Sequence, residues 1–264
     1  MIERVRCPRC GSNKSWGLRR AARRCARCRY DWRPGQLPLR LSKNPWSKIV
    51  RFFLLGLSGA QIAQLTELER RRVLRALLRL RQRMATDVPP VFSGVVEVDE
   101  TYVGGAWRNR RHRPRGSPRG RGTLLKTPVF GILCRGGQVW AQVVPDISRD
   151  TLQTLIRRRV TPGSIVCSDT LGGYTGIATK GYVHRLVAHG QGQYRSRAGT
   201  HINGLEGFWG YLKRRLAAKG GIRRERVPLY LAEYVWRYNH RKDSLHAQHH
   251  RLFQLLTQRP KTSG

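Results

Sequence analysis

Only 15 acidic side chains stand against 52 lysines and arginines in this 264-residue chain, a formal net charge of +37. Charge of that size repels itself, so a compact fold implies that a polyanion is the usual partner. Arginine far outnumbers lysine. Its planar fork suits phosphates and base edges, where lysine offers a point charge. A hydrophobic content of 39% with seven tryptophans argues for a folded protein rather than a disordered polycation. Together these features point to nucleic-acid binding. An abundant RNA-binding protein fits the same charge, and codon bias explains arginine over lysine but not the scarcity of Asp and Glu.

The length suffices for one sizeable core with a small satellite domain or two. No apolar run reaches 18 residues, and residues 49–57 (IVRFFLLGL) are too short to span a bilayer. The N-terminus MIERVRCPRC lacks the pattern of a signal peptide. The expectation is a cytoplasmic, nucleoid-associated protein with no membrane partner.

In that setting cysteines read as metal ligands or free thiols before disulfides. Four of the six fall in the first thirty residues, as Cys7-Pro-Arg-Cys10 and Cys25-Ala-Arg-Cys28. Each pair forms a knuckle that aims two thiolates at one tetrahedral zinc. Residues 1–35 are too few to bury a core, so a metal staple explains how they fold, as a zinc ribbon. Four thiolates leave no open position, which makes this zinc structural. Cys134 and Cys167 lie in apolar runs and are expected as buried core thiols.

Trp46, Ile49, Phe53 and Leu57 recur at helical spacing, and Gly56-Leu57-Ser58 breaks the pattern. A second helix starts near Ala60, and LERRRVLRALLRLRQR makes a third, basic and amphipathic. Residues 44–86 are therefore a helical segment with a helix–turn–helix rhythm, suited either to a DNA major groove or to packing as a linker. After Asp87-Val-Pro-Pro-Val the period changes to strands at Val95–Val98, Thr127–Cys134 and Val139–Val144. A helix at about 148–159, strands at Ile165–Cys167 and near Tyr182–Val187, and helices at 200–217 and 227–241 follow. The order predicts an α/β domain with a mixed sheet over 92–245, and a basic tail over 246–264. The segment WRNRRHRPRGSPRGRG, residues 107–122, reads as a basic loop that orders on phosphates.

In so basic a chain, Asp99, Asp169 and Glu206 stand out. Asp99 and Asp169 each follow an apolar strand, where site residues of an α/β sheet gather. On the helix at 200–217, Asn203, Glu206, Gly210 and Lys213 form one stripe beside an apolar stripe of Leu205, Phe208, Trp209, Leu212 and Leu216. Carboxylates about 5 Å apart repel by about 3 kcal/mol per pair at an effective dielectric of 20, unless a cation sits between them. Hard oxygens select magnesium or manganese. Glu97 shares a strand face with Asp99 and reads as a support for the metals, whereas Glu100 points oppositely and reads as an anchor for an arginine. The histidines lack ligand spacing, and His201 stands out only for lying two residues before Asn203. Trp107 and Tyr174 suit base stacking but more commonly pack.

These stretches resemble insertion-sequence transposases of the DDE type with an N-terminal zinc ribbon. The resemblance rests on D-E-T-Y-x-G-G at Asp99–Gly105, on Asp169 followed by Gly173-Tyr174, and on H-x-N-G-x-E-x-F-W at His201–Trp209 with Lys213 beyond. It implies a ribonuclease-H-like mixed sheet and Mg2+- or Mn2+-dependent strand cleavage and transfer. It also implies double-stranded DNA partners, namely the element's terminal inverted repeats and the target. Within it, Asp99, Asp169 and Glu206 are the metal ligands, Asn203 touches substrate or orients the site, and Lys213 contacts a phosphate near the scissile bond. Joining two ends calls for a homodimer or higher oligomer. A DNA-binding regulator without strand chemistry, or a stand-alone nuclease, remains the alternative.

Overall fold

The computed structural model describes residues 7, 10, 12–20, 22–33, 37–104, 126–169, 172–187 and 203–257. The basic loop at 107–122, Trp107, His201 and the last seven residues lie outside this set. The chain forms two compact units, one of residues 1–86 with 243–264 and one of residues 87–242.

In the first unit, β1 (Ser15–Gly17), β2 (Arg23–Cys25) and β3 (Asp31–Trp32) make a three-stranded antiparallel sheet. Arg24 and Asp31, register partners across β2 and β3, form a two-pronged ion pair at 2.6 and 2.7 Å. Three helices follow, as the apolar spacing predicts. α1 (Lys43–Leu54) buries Trp46, Ile49, Val50, Phe53 and Leu54, and α3 (Arg70–Met84) buries Val73, Ala76, Leu77, Leu80 and Met84. Between them, Gly56 takes a left-handed φ of 87°, and Ser58 opens α2 (Gly59–Thr66) with a capping box to Gln61.

The C-terminal segment differs from the expected basic tail. Leu245–Thr257 is an α-helix, α7, that packs on α1 and α3. Leu252, Leu255 and Leu256 are its buried face, and Ser47 on α1 meets His249 at 3.2 Å. Those three leucines at i, i+3 and i+4 are a helical stripe that the surrounding His and Gln residues masked in the composition.

The second unit is a five-stranded mixed sheet in the order β6-β5-β4-β7-β8. Its strands are β4 (Val95–Val103), β5 (Thr127–Cys134), β6 (Val139–Val143), β7 (Ile165–Ser168) and β8 (Val183–Leu186). β4, β5 and β6 form an antiparallel meander, whereas β7 runs parallel to β4, and β8 to β7. This is the expected α/β arrangement with a mixed sheet. Side chains alternate across the sheet. Val96, Val98, Phe130 and Ile132 pack with Leu152 and Ile156 of α4 (Arg149–Arg159) on one face. Val103, Val129 and Leu133 pack with α5 (Asn203–Ala217) and α6 (Val227–Asn239) on the other. β4 is central and covered on both sides, so its polar residues are there against a desolvation cost.

β6 is an edge strand, and α6 covers one point of it. Asn239 accepts the Val139 N–H at 2.8 Å and donates to the Val139 carbonyl at 2.9 Å. Asn239→Leu removes both bonds, and we expect it to cost about 1–3 kcal/mol in urea unfolding; an unchanged midpoint would assign the edge's closure to packing alone.

Candidate active site

The site begins with strand register. β4 and β7 pair in parallel with Val95 opposite Ile165, Val96 opposite Val166, and Glu97 opposite Cys167. Carried two residues further, the same register sets Asp99 beside Asp169, just past the end of β7 at Ser168. A ligand oxygen from each of Asp99, Glu100 and Asp169 lies within 4.8 Å of the others. Glu100 points to the opposite face of β4 from Asp99, yet its carboxylate reaches the cluster because β7 has already stopped there.

Each acid on β4 is met by a donor from outside the sheet. Trp209 of α5 donates its indole N–H to Asp99 Oδ2 at 2.9 Å. The buried Tyr174 donates its hydroxyl to Glu100 Oε2 at 2.6 Å. Glu97, 1% exposed, accepts the Leu205 backbone N–H at 2.9 Å and pairs with Arg135 at 3.6 Å. Glu97 thus shares the Asp99 face as expected, while Glu100 holds a tyrosine rather than the expected arginine. Glycines make room for this packing. Gly131 is the register partner of Asp99, and a Cβ there would stand 2.6 Å from the Trp209 ring.

Burial, then the charges of Glu100 and Asp169, push Asp99 up to about 7, against the lowering pull of the Trp209 N–H. Glu100 is raised for the same reasons, burial first and Asp169 after it, while Tyr174 pulls it down. Tyr174 is itself held well above its ordinary value by burial and by Glu100. At 4.8 Å, two ionised carboxylates repel by about 3.5 kcal/mol at an effective dielectric of 20. Hard oxygen donors, desolvated and mutually repelling, fit a small divalent cation.

The predicted third acid is not a member of that 4.8 Å group. Glu206 lies exposed in the first turn of α5, outside the group that Asp99, Glu100 and Asp169 form, and one helical turn before Trp209. Asn203 and Lys213 are also exposed on α5, whereas Leu205, Phe208, Trp209 and Leu212 are buried. The two stripes therefore divide as the wheel predicts. At Gly210 a Cβ would meet the end of the exposed Arg214 side chain at 3.3 Å.

Sequence reasoning missed Ser168 and His184. Ser168 donates its hydroxyl to the Asp169 carbonyl at 2.8 Å, so His184 Nε2, 2.9 Å away, meets the serine oxygen as a donor. Burial lowers the His184 pKa, in keeping with a neutral ring. No spacing signal links these residues, which come from neighbouring strands. Of the two isolated cysteines, Cys167 is buried as expected, and Cys134 is half-buried against the Ser93 carbonyl.

In the other unit the four N-terminal sulfurs also converge, all within 4.8 Å. Sulfurs around a tetrahedral zinc at about 2.3 Å stand about 3.8 Å apart. The Cys7–Cys28 and Cys10–Cys25 separations are 3.6 and 3.4 Å. Burial acts to raise the Cys25 thiol, but the Cys28 and Arg27 backbone N–H groups and the Cys10 and Cys7 thiols bring it down to about 6. The four-cysteine cluster fits zinc.

A match to the ISXO2-like transposase domain covers residues 91–239, which include every strand and acid of this site. The chain belongs to the ISXO2-like transposase family. An uncharacterised transposase-like protein of Haemophilus influenzae is 35% identical over 102 residues, 39% of this chain and 81% of that protein. An uncharacterised protein in transposable element ISH50 of Halobacterium salinarum is 30% identical over 163 residues, 58% of this chain. The transposase spans about half, 55%, of that relative's length. Among solved structures, the catalytic core domain of BIV integrase aligns with 58% of this chain and 86% of its own, at 18% identity and a TM-score of 0.36.

Two measurements check this geometry. Gly131→Ala drives a Cβ into the Trp209 ring, and we expect a loss of about 1–3 kcal/mol by denaturant unfolding; wild-type stability would mean that the ring is free to move aside. Purified protein should carry one zinc per chain by elemental analysis, and Cys25→Ser should lose it and open the residues before Pro38 to protease. Unchanged metal content in that variant would reject the cluster as the ligand set.

Proposed function

We propose that this transposase binds the terminal inverted repeats of its own element and catalyses DNA strand cleavage and strand transfer. The reading is carried by one observation: a carboxylate cluster where β7 ends beside β4, within a transposase domain of a chain with net charge +37.

In this reading Asp99 and Asp169 hold Mg2+ or Mn2+, and Glu206 completes the site from the first turn of α5. A divalent ion bound there supplies the Lewis acidity that phosphodiester exchange requires. The Trp209 N–H holds Asp99 through Oδ2. Tyr174 holds Glu100 from the other face of β4, which leaves Glu100 as a neighbour that tunes Asp99. Asn203 touches substrate or orients the site, and Lys213 places a positive charge against a phosphate near the scissile bond. The four-cysteine zinc ribbon and the helices α1–α3 grip the repeats. The exposed Arg70, Arg71, Arg75 and Arg79 of α3 suit a phosphate-lined groove. Two ends must be joined, so the active form is a dimer or larger.

The test is incubation of labelled terminal-repeat DNA with Mg2+. Wild type should nick and join. Asp99→Asn, Asp169→Asn and Glu206→Gln should bind DNA but lower cleavage at least about a hundredfold, the scale for removing a group that stabilises developing charge. Glu100→Gln, run alongside, should fall less. Full cleavage by Asp99→Asn and Asp169→Asn would overturn the assignment, and loss in Glu100→Gln with none in Glu206→Gln would move the third position to Glu100. Nicking without joined product would point to a nuclease. Repeat binding with no cleavage even in wild type would point to a regulator.

A further inference from the structure

Glu97 is a costly residue for its position. It is 1% exposed in the central strand, and a buried ion pair is in general replaceable by apolar packing without loss of stability. Its hydrogen bond and its closest glycine both lie at the start of α5. Its Oε2 accepts the Leu205 N–H at 2.9 Å, one of the first-turn amides that a helix leaves without an internal partner. The carboxylate also lies at the positive end of the helix dipole. Arg135, at the turn after β5, balances the charge at 3.6 Å. Residue 204 must be glycine for this approach, because a Cβ there would stand 2.9 Å from Oε2 and 3.3 Å from Oε1.

A second bond lies one step along both elements. Asp99 takes the Trp209 N–H, so residues 97 and 99 of β4 engage residues 205 and 209 of α5. Four helical residues advance about 6 Å and two strand residues about 6.6 Å, so the two spacings nearly match. Apolar packing of Leu205, Phe208 and Leu212 is tolerant of small slides, whereas two directional bonds at matched spacing are not.

We infer that Glu97 is a positioning residue that locks the register of α5 on β4, and with it the stance of Asn203 and Glu206 relative to Asp99. The inference rests on the reading of Asp99, Asp169 and Glu206 as the metal site. Glu97 touches neither metal nor DNA. It acts through the Leu205 amide, and the acceptor oxygen matters more than the charge.

The experiment uses the full-length protein and two readouts besides strand chemistry. The first is hydrogen exchange of the Leu205 amide, followed by NMR with 15N-leucine. The second is Mn2+ binding to the protein alone with its zinc in place, followed by Mn2+ relaxation. Glu97→Ala should speed Leu205 exchange at least about tenfold. It should also weaken Mn2+ binding by about 10- to 100-fold, the range for loss of a contact that orients metal ligands. Its affinity for terminal-repeat DNA without divalent metal should be unchanged. Glu97→Gln keeps an acceptor oxygen and should stay close to wild type in both readouts. Gly204→Ala should reproduce Glu97→Ala. Unchanged Leu205 exchange in Glu97→Ala would overturn the lock, and faster exchange with unchanged Mn2+ binding would overturn its link to the site. A wild type that binds no Mn2+ would instead indict the metal reading, while the exchange result would still decide the lock.

Discussion

Most of what this transposase can do depends on one strand that is buried on both faces and still carries three carboxylates. β4 meets α4 on one side and α5 on the other, so Glu97, Asp99 and Glu100 have little water to solvate them. Each is matched instead by a directional donor: the Leu205 amide, the Trp209 indole and the Tyr174 hydroxyl. Unmatched, such groups would each cost several kcal/mol or take up a proton. Matched, they fix neighbouring elements to the strand more sharply than apolar contact does. The same desolvation that raises Asp99 to about 7 makes the cluster receptive to a cation.

The glycines belong to the same design. Gly131 admits the Trp209 ring against β5, and Gly204 admits the Glu97 carboxylate against α5. Both lie within the sequence blocks that carry the family likeness or on the strand beside them. A side chain at either position would press the helix away from the acids. Glycine weakens a strand or helix in isolation, and here that cost is offset by close approach at the site.

Much of the architecture was legible in the residues. Two-residue alternation marked the strands, helical spacing marked α1, α3 and the apolar face of α5, and paired CxxC motifs marked the four sulfurs that converge. Asp99 and Asp169 were recognisable because each ends an apolar run. Harder to read were Glu100, dismissed because it faces the other side of β4, and the Ser168–His184 pair, whose members sit on different strands. α7 was hidden because a short leucine stripe among His and Gln resembles a polar tail. Glu206 was legible as a member of the exposed stripe, but Glu100 rather than Glu206 as the third member of the 4.8 Å group was not.

By itself the sequence determined local periodicity, the ligand sets of the ribbon and the polarity that calls for a polyanion. These depend on backbone repeats and on side-chain chemistry, both local. The tertiary structure decided which acids meet. The parallel register of β4 and β7 sets Asp99 against Asp169, and the end of β7 lets Glu100 join them. Such meetings join residues about 70 positions apart on the two strands, and the Leu205 bond to Glu97 spans 108. Strand pairing and helix docking fix them, and neither is written in the spacing of either segment alone.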